Sequence, residues 1–230
     1  MLSAPIIEPW NEEKGRIEPL SATRLILVRH GETMANREFR YIGAADHALT
    51  EHGRAQAEQL AGALSTLPIA AVYSSPRQRA CDTASPIAAR HGLTVQVLYD
   101  LREEDFGAWE GLSRSEVMAR DAGHLQAWER DTSIAPPAGE SLDAMHRRVA
   151  AAVEKLVQVH PDQNVVLVSH VGPIKAVLCA ALGAPVSSAF RIFLDPATIS
   201  VVDWRQPQPV VRLVNSHSHL GWGQARWMLS

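Results

Sequence analysis

The chain has 230 residues, of which 46% are hydrophobic and 20% are charged, as in ordinary soluble globular domains. Its formal net charge of −3 excludes a general electrostatic attraction to nucleic acids or anionic membranes. A site for an anion must therefore be built from a local group of positive side chains. The segment 1–23 lacks the basic start and apolar core of a secretion signal, which predicts an irregular N-terminal arm and a cytoplasmic protein.

Short apolar runs alternate with helical patterns through the rest of the chain. Four runs are typical of buried strands, and they lie at 24–28, 69–75, 93–100 and 164–169. Two further runs, 198–204 and 210–215, flank a turn and predict a hairpin. Strands that alternate with helices favour a mostly parallel sheet with helices on both faces.

The helical patterns carry start and stop signals. They lie at 49–67, 75–92, 113–121 and 172–183, and a long helix begins near Leu142 and ends before Pro161. Ser75 with Gln78, and Ser113 with Glu116, have the spacing of a capping box. Pro86 predicts a kink or split in its helix. We interpret 24–230 as one domain in which 105–140 is an insertion suited to forming a lid.

Charged side chains follow the strands where each one ends. The five that carry the argument are Arg29 and His30 after the first strand, Arg79 after the second, Glu103 after the third and His170 after the fourth. In open parallel sheets, ligands bind outside the carboxyl ends of the strands. Two arginines, two histidines and one carboxylate are therefore expected at one rim of the sheet.

This set of groups suits a phosphate. Paired guanidiniums, here Arg29 and Arg79, bind a dianion through parallel N–H bonds. The helix that begins near Gly172 directs the positive end of its dipole to the same place, and Asn36 is placed to donate a further hydrogen bond.

The same groups suggest a reaction. A neutral imidazole is a competent nucleophile toward phosphorus, and His30 is the candidate. Arg29, Arg79 and His170 would stabilise charge on the phosphoryl oxygens. Glu103 is the candidate acid for the leaving oxygen and the later base for water.

Five segments, in order, resemble the signatures of the histidine phosphatase superfamily, the phosphoglycerate mutase-like fold. They read LVRHGET, YSSPRQRACDTA, LREEDFGAWEG, PPAGES and SHVGPIKAV. The resemblance implies a three-layer α/β/α sandwich with a mostly parallel central sheet, and chemistry without a metal or another cofactor. It implies phosphorylation of His30, a phosphate pocket completed by Arg29, Arg79, His170 and Asn36, and Glu103 as the proton donor.

Two departures from the family pattern lie in the last segment. Val171 stands where glycine is usual, and Lys175 stands where arginine is frequent. The LREEDFGAWEG segment resembles the phosphatase branch and lacks the mutase pattern. The sequence therefore predicts a phosphomonoesterase for a small phosphorylated metabolite, and leaves open a phosphoglycerate mutase-type isomerase and a non-catalytic phospho-ligand binding module. It predicts no nucleic acid or membrane partner, and a homodimer stays open.

Several residues have alternative readings. Glu103 has acidic neighbours, Glu104 and Asp105, of which at least one is expected to be a solvated loop charge. Asn36 is also a common turn former. The His-x-His pair of His217 and His219 is expected to be structural, since no third metal ligand is in view.

Overall fold

The computed structural model describes residues 22–205 and 208–225, so nearly all of the predicted arm lies outside the described residues. The strands are β1 (Thr23–Arg29), β2 (Ile69–Ser74), β3 (Val95–Val97), β4 (Asn164–Ser169), β5 (Ile199–Trp204) and β6 (Val210–Ser216). They form one sheet in the order β3-β2-β4-β1-β5-β6. The first four strands in this order are parallel, and the β5–β6 hairpin adds two antiparallel strands. The predicted mostly parallel sheet and the hairpin are both confirmed.

Six α-helices accompany the sheet within the described ranges. They are α1 (Met34–Arg37), α2 (Glu51–Leu64), α3 (Gln78–Arg90), α4 (Arg114–Trp128), α5 (Leu142–Val159) and α6 (Val171–Leu182). Short 3-10 helices lie at Tyr99–Leu101, Gly107–Trp109, Val186–Arg191 and Trp222–Gln224. Gly183 ends α6 in the left-handed conformation, at φ 60°, which glycine adopts without steric cost. None of the described helices has the length and hydropathy that crossing a membrane requires.

Successive side chains of β1 serve two separate cores. Leu25 and Leu27 pack with α5 and α6 on one face of the sheet, whereas Ile26 and Val28 pack with α2 and α3 on the other. All four are buried, and each contributes about 1.5–3 kcal/mol of hydrophobic stabilisation. This alternation confirms the three-layer α/β/α sandwich and explains why the run is apolar at every position.

The start of α3 differs from the prediction. The helix begins at Gln78, and its N-cap residue, Arg77, makes no capping hydrogen bond through its side chain. The predicted Ser75–Gln78 capping box is therefore wrong. Asp46, from a distant loop, accepts a hydrogen bond from the Gln78 amide at 2.9 Å. The Ser75 hydroxyl is instead 2.7 Å from His170 Nε2. A tertiary contact has replaced the local cap.

A split of the helix at Pro86 is wrong, because α3 runs through this residue; a kink there stays a prediction. Ala84 and Ile87, on either side of the proline, are fully buried against the sheet. This packing holds the helix together although Pro86 donates no backbone hydrogen bond.

The third strand is shorter than predicted. β3 pairs only with β2 at the edge of the sheet, and the chain then turns into a 3-10 helix that buries Leu101. The Ser113–Glu116 capping box is present. The backbone of α4 is non-helical at Asp121, where the predicted helix ends, and a second helical stretch runs from this kink to Trp128. The Trp128 side chain is buried.

Candidate active site

The register of the two central strands brings the two histidines together. Arg29 of β1 is paired with Ser169 of β4, so His30 and His170 leave the sheet side by side. The His30 amide donates to the Ser169 carbonyl at 3.0 Å. The two imidazole rings lie with their centroids 5.1 Å apart, and both are buried.

A backbone carbonyl fixes the orientation of the His30 ring. His30 Nδ1 lies 2.8 Å from the Gly31 carbonyl oxygen, which can only accept a hydrogen bond, so Nδ1 carries the proton. Burial lowers the pKa of His30 well below its ordinary value, and the nearby Arg79 and Arg29 guanidiniums lower it further. The ring is therefore neutral at physiological pH, with its lone pair on Nε2.

The hydroxyl of Ser75, a residue predicted to cap α3, holds the His170 ring in place. His170 Nε2 lies 2.7 Å from Ser75 Oγ. Burial, followed by the charge of Arg79, lowers the pKa of His170 well below the ordinary value. Within the described chain, His170 Nδ1 has no hydrogen-bond partner, which leaves this nitrogen available to a ligand.

Both predicted arginines reach the rim, where backbone carbonyls hold their guanidiniums. Arg79 is buried and donates from Nη1 to the Ala45 carbonyl at 2.8 Å and from Nη2 to the Gly43 carbonyl at 3.3 Å. Arg29 donates to the Leu194 carbonyl, from the loop before β5. Carbonyl contacts of this kind leave no signature in the sequence.

The Glu103 carboxyl lies against the start of α6. Its Oε1 accepts hydrogen bonds from the Glu104 amide at 3.0 Å and the Gly172 amide at 3.1 Å. A Cβ on Gly172 would lie 2.3 Å from this oxygen, so only glycine permits the approach. Burial raises the pKa of Glu103 although the two amides and the arginines oppose it. The Gly172 amide also lies 3.3 Å from Oε2, so it donates to both oxygens of the carboxyl.

Arg148 of α5 supports the loop that carries Glu103. Its guanidinium is bidentate to Glu140, with Nε and Nη2 at 2.8 and 2.7 Å from the carboxylate oxygens. The same group donates to the Asp100 carbonyl at 2.6 Å and the Glu103 carbonyl at 3.1 Å. The sequence does not reveal this contact, because it joins α5 to a loop more than forty residues earlier in the chain.

Glu104 is not a solvated loop charge, because its side chain is also buried. Trp128 Nε1 donates to its Oε1 at 3.2 Å. Burial, followed by the neighbouring Glu103 charge, raises the pKa of Glu104 to about 8. Two adjacent carboxyls therefore face the rim, and Glu103 is the one bonded to the start of α6.

Asn36 is engaged locally. Its Oδ1 accepts from the Thr33 amide at 2.9 Å and from the Thr33 hydroxyl at 3.0 Å, closing a capping box on α1. A contact between Asn36 and phosphate stays a prediction.

A cavity of about 280 Å³ opens beside these groups. Arg29 and Glu103 stand on its wall, together with Glu104, Val171 and Lys175. The wall does not include the remaining buried members of the cluster, which are His30, His170 and Arg79. Arg29 and Glu103 thus connect the cavity to the two histidines.

The two C-terminal histidines have structural contacts. His217 Nε2 lies 2.8 Å from Asp195 Oδ2, and His219 Nε2 lies 2.8 Å from the Ala197 carbonyl. A search of the described residues finds no group of three or more His, Cys, Asp or Glu side chains that could hold a metal ion.

Known proteins are similar to this chain in both sequence and fold. A sequence profile of the histidine phosphatase superfamily (branch 1) matches residues 25–217. A bifunctional protein of Mycobacterium tuberculosis is 41% identical over 94% of this chain and 59% of its own length. Phosphoserine phosphatase 1 of Hydrogenobacter thermophilus is 36% identical over 86% of this chain and 94% of its own. A mycobacterial glucosyl-3-phosphoglycerate phosphatase, solved with VO3, has a TM-score of 0.78 at 34% identity, covering 85% of this chain and all of that one.

An α/β sandwich with two imidazoles and two guanidiniums at the carboxyl ends of its central strands defines a class of phosphoryl-binding proteins. The chain belongs to the histidine phosphatase superfamily, as the resemblance of its five segments predicts. It spans about three fifths of the length of the mycobacterial relatives that it matches at 41% identity.

Proposed function

We propose that the protein is a metal-independent phosphomonoesterase, which hydrolyses a small phosphorylated metabolite through a phosphohistidine at His30. The observation that carries the proposal is the fixed tautomer of His30. Its Nδ1 is bonded to Gly31, which leaves a neutral Nε2 beside two guanidiniums. The relatives named as phosphatases support hydrolysis as the reaction.

In the first step, His30 Nε2 attacks phosphorus and the bond between phosphorus and the ester oxygen breaks. Arg29 and Arg79 stabilise the charge on the phosphoryl oxygens, and His170 Nδ1 supplies a further polar contact. The leaving oxygen takes the proton from Glu103, and burial raises the pKa of this carboxyl, which favours its protonated form. Asn36 is assigned to the phosphate pocket only by its place three residues after the first segment.

In the second step, water attacks the phosphohistidine and the bond between nitrogen and phosphorus breaks. Glu103, now ionised, removes a proton from the water. Inorganic phosphate is released, and both His30 and Glu103 return to their starting states. No other reactant is needed.

Trapping the intermediate tests this proposal. The protein is mixed briefly with a labelled phosphate ester in excess chelator and then quenched. We expect an acid-labile, base-stable label on the wild type and on His91→Ala, a control at the end of α3, but none on His30→Ala. Label that persists on His30→Ala would exclude His30 as the nucleophile, and loss of label in chelator would exclude metal independence.

Product analysis separates the remaining alternatives. Free inorganic phosphate is expected from a phosphomonoesterase, an isomerised phosphate ester from a mutase, and unchanged ester from a binding module. The cytoplasmic location and the homodimer stay predictions, which fractionation and measurement of the mass in solution would test.

A further inference from the structure

One wall of the cavity beside the site is aromatic. It is formed by the rings of Tyr41, Phe106, Trp128 and Phe190. Tyr41 contacts Phe106 and Trp128 at centroid distances of 5.0 and 5.9 Å. Trp128 and Phe190 lie 5.7 Å apart at an interplanar angle of 79°. Three separate parts of the chain therefore contribute rings to a single surface.

Packing of the 105–140 segment does not explain the whole of this wall. Trp109, Val117 and Leu125 form a buried cluster with Trp128, and they are at most 3% exposed. Phe190 comes from a different segment, remains 42% exposed, and contacts the ring of Trp128. Its ring thus stands at the cavity rather than inside a core.

The geometry of the two rings suits a flat guest. Because Phe190 and Trp128 are nearly perpendicular, they form a corner in which a planar ring meets the face of one and the edge of the other. These are the arrangements that aromatic pairs prefer. The lining also includes the apolar Ile42, Leu142, Val171 and Ala189, and the charged Arg40, Glu104 and Lys175.

The position and size of the cavity limit the ligand further. Arg29 and Glu103 mark the end at which the ester oxygen would lie, so the aromatic wall faces the alcohol part of the substrate. The volume of about 280 Å³ is at the small end of ligand sites, which are roughly 300–1,000 Å³. It is suited to one ring system and a short spacer.

We infer that the cavity selects phosphate esters of alcohols that carry a planar aromatic ring, and that Phe190 and Trp128 hold this ring. The inference rests on the proposed function, and it names the class of leaving group that this site prefers.

Matched pairs of substrates test the inference with the full chain. AMP and ribose 5-phosphate share the same primary ester and differ in the aromatic base, so their leaving groups have similar acidity. 2-Phenylethyl phosphate and butyl phosphate repeat the comparison without ribose. We expect kcat/KM to be about tenfold higher for the aromatic member of each pair, mainly through KM.

Two phenylalanine variants assign the effect. Phe190→Ala should reduce the aromatic preference by about tenfold. Phe193→Ala is the control, since Phe193 is also exposed but is not on the cavity wall, and it should keep the preference. Equal kcat/KM within both pairs, or a preference that Phe190→Ala retains, would overturn the inference. If the wild-type protein neither hydrolyses any of these esters nor forms the phosphohistidine label, the proposed function itself would be contradicted.

Discussion

At the scale of single residues, Gly172 determines where the Glu103 carboxyl lies. A Cβ on Gly172 would approach Glu103 Oε1 to 2.3 Å and Met145 Sδ to 2.7 Å. Both atoms belong to the ends of flexible side chains, so we expect Gly172→Ala to fold and to displace the carboxyl. Loss of a positioned general acid typically costs about 10²–10⁴-fold, and we expect kcat on alkyl phosphates to fall by about 10²-fold.

The control for this variant is Gly62→Ala in α2, where a Cβ meets no atom within 4 Å. Its kcat should match the wild type, and thermal unfolding should show that both variants are folded. Wild-type kcat for Gly172→Ala would mean that the Glu103–Gly172 contact has no part in the reaction.

The residues that sequence reasoning found differ in kind from those that it missed. His30 and His170 were predictable because each lies two positions after the last apolar residue of its strand, and a parallel register places such positions together. The contact of Ser75 with His170, and of the Leu194 carbonyl with Arg29, depends on loop paths and side-chain rotamers. The burial of Glu104 was not predictable either, because Trp128, which donates a hydrogen bond to its carboxyl, lies 24 residues away along the chain.

At the scale of elements, α5 positions the loop of the proposed acid through Arg148. This side chain is bidentate to Glu140 and also donates to two carbonyls of the loop that ends at Glu103. We expect Arg148→Met to loosen that loop and to lower kcat about tenfold for alkyl phosphates, at the low end of general-acid effects. Nitrophenyl phosphate, whose leaving oxygen needs little protonation, should be affected much less.

Two reference variants make this prediction decisive. Arg147→Met alters the exposed arginine that precedes Arg148 in the same helix. It should leave kcat unchanged for both esters. Glu103→Gln should show the same dependence on leaving group as Arg148→Met, but more strongly. Equal losses for the two esters in Arg148→Met would show that the arginine serves the structure in general rather than the acid.

Helix boundaries were predictable only where the capping group is local. Ser113 caps α4 as predicted, because its partner Glu116 lies three residues along the chain. The start of α3 is capped by Asp46 from another loop, and buried packing carries α3 through Pro86. Local patterns therefore identified the helices, whereas tertiary contacts set some of their ends.

At the scale of the whole molecule, the two carboxyls of the rim reduce the stability of the fold. Burial, followed by the Glu103 charge, raises the pKa of Glu104 from 4.5 to about 8; Glu140 raises it further, whereas Trp128 and Arg148 oppose the rise. Between these two pH values the unfolded chain releases a proton that the folded chain retains. Stability must therefore fall as the pH rises through this window.

Replacing Glu104 by glutamine removes this penalty and keeps an amide oxygen for the Trp128 N–H. At pH 7 the solution is roughly 2.5 pH units above the ordinary pKa of the carboxyl in the unfolded chain. Each unit corresponds to about 1.4 kcal/mol, so we expect the variant to gain roughly 3 kcal/mol in the free energy of unfolding. The gain should vanish below pH 4.5, where both states are protonated. Urea unfolding at pH 4.5 and pH 7 measures it, with Glu154→Gln at an exposed position of α5 as the control. An equal gain at both pH values would contradict the raised pKa, because only a titrating carboxyl makes the stabilisation depend on pH.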